Sequence, residues 1–145
     1  MNTVEFRRGV YDGDLLLVTP VIDGTPLTEL VTAFEKSHGY NDPSGGYGGL
    51  IPAFFRYGPA EIYFLGRSDR HVDSSIYLLG CDCGEVGCWP LRAAVSVDAD
   101  TVTWSGFQQP YREKRDYSDF GPFVFARPQY EKAVRELAEA GWDTP

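Results

Sequence analysis

Histidine is nearly absent from this sequence: His38 and His71 are the two in the chain. Imidazole is the side chain best suited to acid–base work near neutral pH, so chemistry of that kind has few candidates. The nucleophile elbow G-x-S-x-G and the zinc-protease helix H-E-x-x-H are missing as well. Basic side chains are scarce, with 13 Lys and Arg against 21 Asp and Glu, for a formal charge of −8. The deficit is shared: residues 1–72 hold nine acidic and six basic side chains, and residues 73–145 hold twelve and seven. Arg112, Lys114 and Arg115 form the dense basic cluster, and Glu113 and Asp116 interrupt it. Nucleic-acid binding by phosphate neutralisation is therefore not expected. Apolar runs such as Leu15–Val18 are short, whereas a membrane helix needs about 20 residues. No apolar stretch follows a basic start, so no secretory signal is expected. Cysteine occurs three times, and an odd, small count suits a reducing cytoplasm better than a disulfide framework.

Against these absences stand nine Tyr, nine Phe and three Trp in 145 residues. Disordered chains are poor in such side chains. The length fits one domain, 1–145. A chain of this size buries roughly 70% of its unfolded surface, so it needs neither metal nor disulfide merely to fold.

Asp14–Ile22 reads as a strand, with Asp23-Gly24 as its turn. Pro20 places that strand at an edge or ends it early. Thr25-Pro26 reads as an N-cap and a first helical proline, and Leu27, Leu30, Val31 and Phe34 form the apolar stripe that follows. Gly39 is the stop. Residues 38–52, HGYNDPSGGYGGLIP, hold five glycines and two prolines and read as a loop. Residues 60–65 (AEIYFL) and 75–79 (SIYLL) are β-prone. Leu91, Ala93, Val95 and Val97 alternate with more polar or smaller neighbours, as a strand with one buried face does. Asp98–Asp100 turns the chain and 101–107 returns, so 75–107 is expected to be a three-stranded antiparallel meander. Residues 122–125 (PFVF) read as one more short strand. Pro128 opens a terminal helix with Tyr130, Val134, Leu137 and Ala138 on its apolar side. Glu131–Arg135, Lys132–Glu136 and Arg135–Glu139 have the spacing of ion pairs along its wet side, and Gly141 ends it. The expected class is α+β: one domain, a mostly antiparallel sheet and two flanking helices.

The three cysteines, Cys81, Cys83 and Cys88, fall within eight positions, CDCGEVGC. On a strand Cys81 and Cys83 point to one face. If residues 84–87 form a hairpin loop, Cys88 faces Cys83 and the three sulfurs converge. Three readings stay open. A soft metal such as zinc takes thiolate ligands but wants four of them in a structural site; His71, ten residues before Cys81, is the nearest imidazole to supply the fourth. Alternatively the thiols are small buried hydrophobes beside a glycine turn. A reversible Cys83–Cys88 disulfide is the third reading. Asp82 and Glu85 are expected to raise a neighbouring thiol's pKa, which speaks against an activated cysteine nucleophile.

The runs LLGCDCGEVGCWPL, TVTWSGFQQPYR and FGPFVFARPQYEKAV resemble a family of bacterial, actinobacterial-type proteins without an assigned activity. The resemblance covers roughly 60–137. It implies a bacterial cytoplasmic origin and no particular activity.

Residues 44–50, SGGYGGL, are glycine-rich but lack the GK[ST] ending of a phosphate loop and the GxGxxG spacing. A mobile surface loop, or a lid, is the reading. In SDRHVD, Asp69 and Asp73 flank His71 and could orient its imidazole, with a solvated loop as the default reading. Residues 104–123 mix aromatic side chains with both signs of charge, a composition enriched at interfaces. Trp104, Phe107, Tyr111, Arg112, Tyr117 and Phe120 are the candidate partner-binding residues; the alternative is that this segment drapes over the sheet with its aromatics in the core. By elimination, the expected role is a non-enzymatic intracellular protein that binds and regulates or neutralises a protein partner, with no catalytic residues. A zinc-binding protein, structural or catalytic, and a thiol redox sensor are the alternatives.

Overall fold

A computed structural model describes residues 1–67 and 75–142. β1 (Val4–Tyr11) and β2 (Leu15–Ile22) pair antiparallel along their length, from Val4 opposite Ile22 to Tyr11 opposite Leu15. β3 (Thr25–Pro26) folds back on β2 through the Asp23-Gly24 turn. The N-terminal strand escaped the sequence reading because its apolar alternation stops after Val4 and Phe6.

β2 lies in the middle of this three-stranded sheet, not at its edge. Pro20 is tolerated for a geometric reason. The N–H and C=O of Val18 both bond to Leu50, at 2.8 Å each, and so point away from β1. Pro20, two residues on, has the same orientation, and its missing N–H removes no bond between β1 and β2. The helix α1 (Leu27–Ser37) starts later than expected: Pro26 itself is the cap residue, with φ −59° and ψ 140°. Thr25 is committed to pairing with Ile22 and does not cap. Leu27 and Val31 are buried, Leu30 and Phe34 partly so, and Gly39 follows the C-cap with φ 73°.

The second sheet has five antiparallel strands in the order β4 (Tyr47–Gly48), β5 (Ser75–Cys81), β6 (Leu91–Val97), β7 (Thr101–Gln108) and β8 (Phe123–Ala126). The expected meander is its centre, with residues 98–100 in the second turn. Leu91, Ala93 and Val95 are buried, and the residues between them are more exposed. Residues 60–65 are not a strand. They hold the one-turn helix α2 (Ala60–Tyr63), started by Pro59 at φ −56° and closed by bonds from Tyr63 to Pro59 and Phe64 to Ala60, both 2.9 Å. Tertiary burial overrides the β propensity of Ile-Tyr-Phe: Ala60, Tyr63 and Phe64 face the core and Ile62 is left 44% exposed.

α3 (Arg127–Glu139) packs Tyr130, Val134 and Leu137 into the core against β1 and α2. Trp104 Nε1 donates to Tyr130 Oη at 3.0 Å, and Tyr130 in turn donates to the carbonyl of Phe64. Gln129 grips Val4 at both ends, donating to its carbonyl at 2.6 Å and accepting from its N–H at 3.1 Å. Among the described residues the ion pair on this helix is Arg127–Glu131 at 3.2 Å, and the three pairs expected from spacing do not form. Together the two sheets and three helices make one α+β domain. No helix of the described residues is long and apolar enough to cross a membrane.

Candidate metal centre

β5 ends at Cys81, and the chain does not continue as the strand that would have placed Cys83 by alternation. It coils into two consecutive turns. The N–H of Gly84 donates to the carbonyl of Cys81 at 3.0 Å, the N–H of Cys81 to that of Glu85 at 3.3 Å, and the N–H of Cys88 to that of Glu85 at 3.2 Å. β6 resumes only at Leu91. The expected four-residue hairpin loop is thus a longer, tighter coil, yet it achieves the convergence. The three Sγ atoms lie within 4.8 Å of one another. Cys81 is half-buried, Cys83 and Cys88 are exposed, and none is in a disulfide. Exposure of two thiols sets aside the reading in which all three are core filler.

The coil is fixed from four sides. Tyr47 pairs with Cys81 across β4 and β5, and the N–H of Asp82 donates to Gly46 at 3.0 Å. Tyr11 Oη donates to the carbonyl of Cys83 at 2.7 Å, and Tyr111 Oη donates to that of Gly87. Trp89 Nε1 donates to Gly45 at 3.0 Å. Two glycines make this fit. Gly84 has φ +100°, and a Cβ there would stand 3.0 Å from Phe54 Cε2 and 3.1 Å from Tyr11 Cζ. A Cβ on Gly48 would stand 2.9 Å from the carbonyl oxygen of Cys81. The glycine-rich stretch read as a surface loop or lid is thus the wall against which the cysteine coil is built.

The backbone also aims at the sulfurs. The N–H of Glu85 donates to Cys83 Sγ and holds that thiol below its ordinary value, aided by the neighbouring thiols and outweighing the charge of Asp82. The expected upward push from nearby carboxylates is therefore overruled at Cys83 by a directed N–H, which favours the thiolate. Cys81 differs. Burial pushes its thiol up to about 12, although the N–H of Cys83 donates to its sulfur. Its S–H points toward Asp82 Oδ1, at 3.6 Å. Three sulfurs, two of them receiving backbone N–H bonds, make a set of soft donors able to hold a zinc-like ion. His71 lies outside the described residues.

The aromatic segment is placed differently from a docking surface. Trp104, Phe107, Tyr117 and Phe120 are buried. Phe107 and Phe120 stack edge to face at 4.8 Å. Arg112 lies 5.0 Å over the ring of Trp89 and bonds the carbonyl of Asp42. Of the six, Tyr111 is the one at the surface, 54% exposed, and its hydroxyl is engaged by Gly87.

Behind the same glycine-rich stretch lies a cluster that sequence reasoning missed. Glu35 is 0% exposed. Its Oε1 accepts from the N–H of Gly45 at 2.7 Å. Its Oε2 accepts from Tyr47 Oη at 2.7 Å, Tyr117 Oη at 2.5 Å and Arg115 Nη1 at 3.2 Å. Gln109 Nε2 donates to Tyr47 Oη at 3.0 Å, and Arg115 Nη2 donates to the carbonyl of Pro43 at 2.7 Å. Burial, reinforced by the Glu35 carboxylate, raises the Tyr47 phenol above its ordinary value and pushes Tyr117 to about 12, so both stay neutral donors. A signal existed: Leu27, Val31 and Glu35 recur every four residues, so the carboxylate continues the buried line of α1.

No family model, curated protein or solved structure matches the chain. The resemblance of residues 60–137 thus has no matching relative behind it, and what stands is the cysteine cluster itself.

Proposed function

We propose that this protein binds a zinc ion, or an ion of the same soft class, through Cys81, Cys83 and Cys88. The observation that carries the reading is the approach of all three sulfurs to within 4.8 Å on a coil whose backbone is independently anchored. Zinc–sulfur bonds of ~2.3 Å in a tetrahedron bring the sulfurs to about 3.7 Å from one another. Cys83 and Cys88 are exposed, so their side chains have room to turn toward that spacing. Ligation releases the thiol protons, and the N–H groups of Cys83 and Glu85 then face thiolates, where a hydrogen bond is stronger.

Tyrosines, glycines and a strand pairing hold the coil, so the ion is not the scaffold's support. Two of the three ligands are at the surface, so solvent or an outside ligand can reach the site. That is the arrangement of a site whose metal can exchange or accept an outside ligand, in contrast to a closed structural site. Binding a regulated protein partner has less support, since four of its six candidate residues are core side chains.

The test is titration of reduced, metal-free protein with Co²⁺ and then Zn²⁺. One equivalent of Co²⁺ should give intense sulfur-to-metal charge-transfer absorption, which Zn²⁺ abolishes. Cys83→Ser and Cys88→Ser should each weaken binding by about 10–100-fold. Absence of the absorption, with no zinc retained after gel filtration, sinks the reading.

A further inference from the structure

We propose that the cysteine coil is also a hydroperoxide-responsive switch, in which Cys83 and Cys88 close a disulfide and thereby discharge the metal. The release of metal rests on the zinc reading above; the disulfide rests on the geometry alone.

Geometry selects the pair. All three sulfurs are within 4.8 Å, and a disulfide needs them at about 2.05 Å with Cβ atoms roughly 3.5–4.5 Å apart. Cys81 is held in β5, is half-buried, and directs its S–H at Asp82. One residue separates it from Cys83, so a bridge there closes only a small ring. Cys83 and Cys88 lie beyond the strand, are exposed, and enclose Gly84-Glu85-Val86-Gly87. The carbonyls of Cys83 and Gly87 are held by Tyr11 and Tyr111. Both cysteine backbones are therefore placed, and closure asks mainly for side-chain rotation.

The chemistry balances as follows. The Cys83 sulfur attacks the outer oxygen of the hydroperoxide and the O–O bond breaks. In the metal-free protein the thiol proton goes to the departing oxygen, and in the loaded protein water supplies it; that oxygen leaves as water or an alcohol, and Cys83 becomes a sulfenic acid. The Cys88 sulfur attacks the Cys83 sulfur, and the S–O bond breaks. The departing hydroxide takes the Cys88 proton, or one from solvent where the metal had held that sulfur as a thiolate, and leaves as water. Two thiols are oxidised by two electrons and one hydroperoxide is reduced. A metal that keeps only Cys81 as a protein thiolate is lost, and a thiol reductant restores the site by exchange.

The experiment treats full-length protein, zinc-loaded and zinc-free, with near-stoichiometric hydrogen peroxide. Remaining thiols are alkylated and mapped by mass spectrometry, and freed zinc is followed with a colorimetric chelator. The expected product lacks two hydrogens, carries a bridge between Cys83 and Cys88, leaves Cys81 alkylated, and loses its zinc. Cys83→Ser or Cys88→Ser should slow loss of paired thiols about tenfold or more. A bridge between two chains, sulfinic acid without a bridge, or bridging that survives Cys88→Ser overturns the switch. Zinc binding without the bridge defeats this inference and leaves the metal reading intact. A bridge in protein that fails to take up added zinc upholds the thiol chemistry and defeats the metal reading.

Discussion

Residues 42–48 carry polar clusters on two sides, and the two are built on opposite terms. Gly45 donates its N–H inward to Glu35 and accepts from Trp89 with its carbonyl, while Gly46 and Tyr47 hold the cysteine coil. Around Glu35, four donors converge on two oxygens, and no outside ligand has a place. Around the cysteines, electron-pair donors converge on one another and two of the three face solvent. A buried charge demands saturation because every missing bond costs its desolvation in full. Surface sulfurs carry no such demand, so their convergence is free to serve a ligand.

The largest expected effect breaks the saturated side. Glu35→Ala leaves Arg115 and two tyrosine hydroxyls without their shared acceptor, and should cost about 3–5 kcal/mol in urea unfolding, the range for breaking a buried pair. Glu35→Gln, which keeps the shape and one acceptor oxygen, should cost less. Equal costs for both variants would show that the charge itself contributes nothing.

Zinc comes next. If the tripod binds only in the folded state, free metal at about 100 times its dissociation constant should raise stability by about 2.7 kcal/mol. The triple variant Cys81→Ser, Cys83→Ser, Cys88→Ser should lose that increment. In zinc-free buffer the same variant should unfold within about 1 kcal/mol of the parent, since two of the three side chains are exposed and the third is only half-buried. A larger loss without metal would make the cysteines structural and erase the contrast with Glu35.

The smallest effect concerns an exposed carboxylate. Asp23 accepts from the Asn2 side chain at 2.7 Å and the Thr3 N–H at 2.8 Å, and these bonds hold its pKa below the ordinary 3.8. A folded-state value below the unfolded one means stability that is complete above the unfolded pKa and lost as pH falls through the folded value. The stability difference between the parent and Asp23→Asn should therefore be flat above about pH 5 and shrink below pH 4. A difference that grows toward acid would refute the assignment.

The meander and the α3 stripe were legible because each buries one face with its own period, so Leu91–Val97 and Tyr130–Leu137 announce themselves. Short elements were not. Residues 60–63 carry β-prone side chains, and it is the surroundings of Ala60, Tyr63 and Phe64 that make them helical. β1 carries Arg7, Arg8 and Gly9 where alternation should continue. The cysteine convergence was legible for a partly mistaken reason: strand parity suggested it, but two backbone turns produce it. Glu35 was passed over because a carboxylate on an apolar line reads as a surface residue until its partners, 10 to 82 positions away, are brought to it.

The grip of Gln129 on Val4 joins residues 125 positions apart. The Asn2 N–H likewise reaches the carbonyl of Val124 at 2.7 Å, and the Asn2 side chain accepts that residue's N–H. During synthesis the β1–β2 hairpin emerges well before the helix that covers Val4 and Phe6. The hairpin must wait with its apolar face open until α3 has been made. β1 therefore has its native cover only after α3 is made, and a ribosome stalled before residue 127 holds a chain with an exposed, sticky sheet.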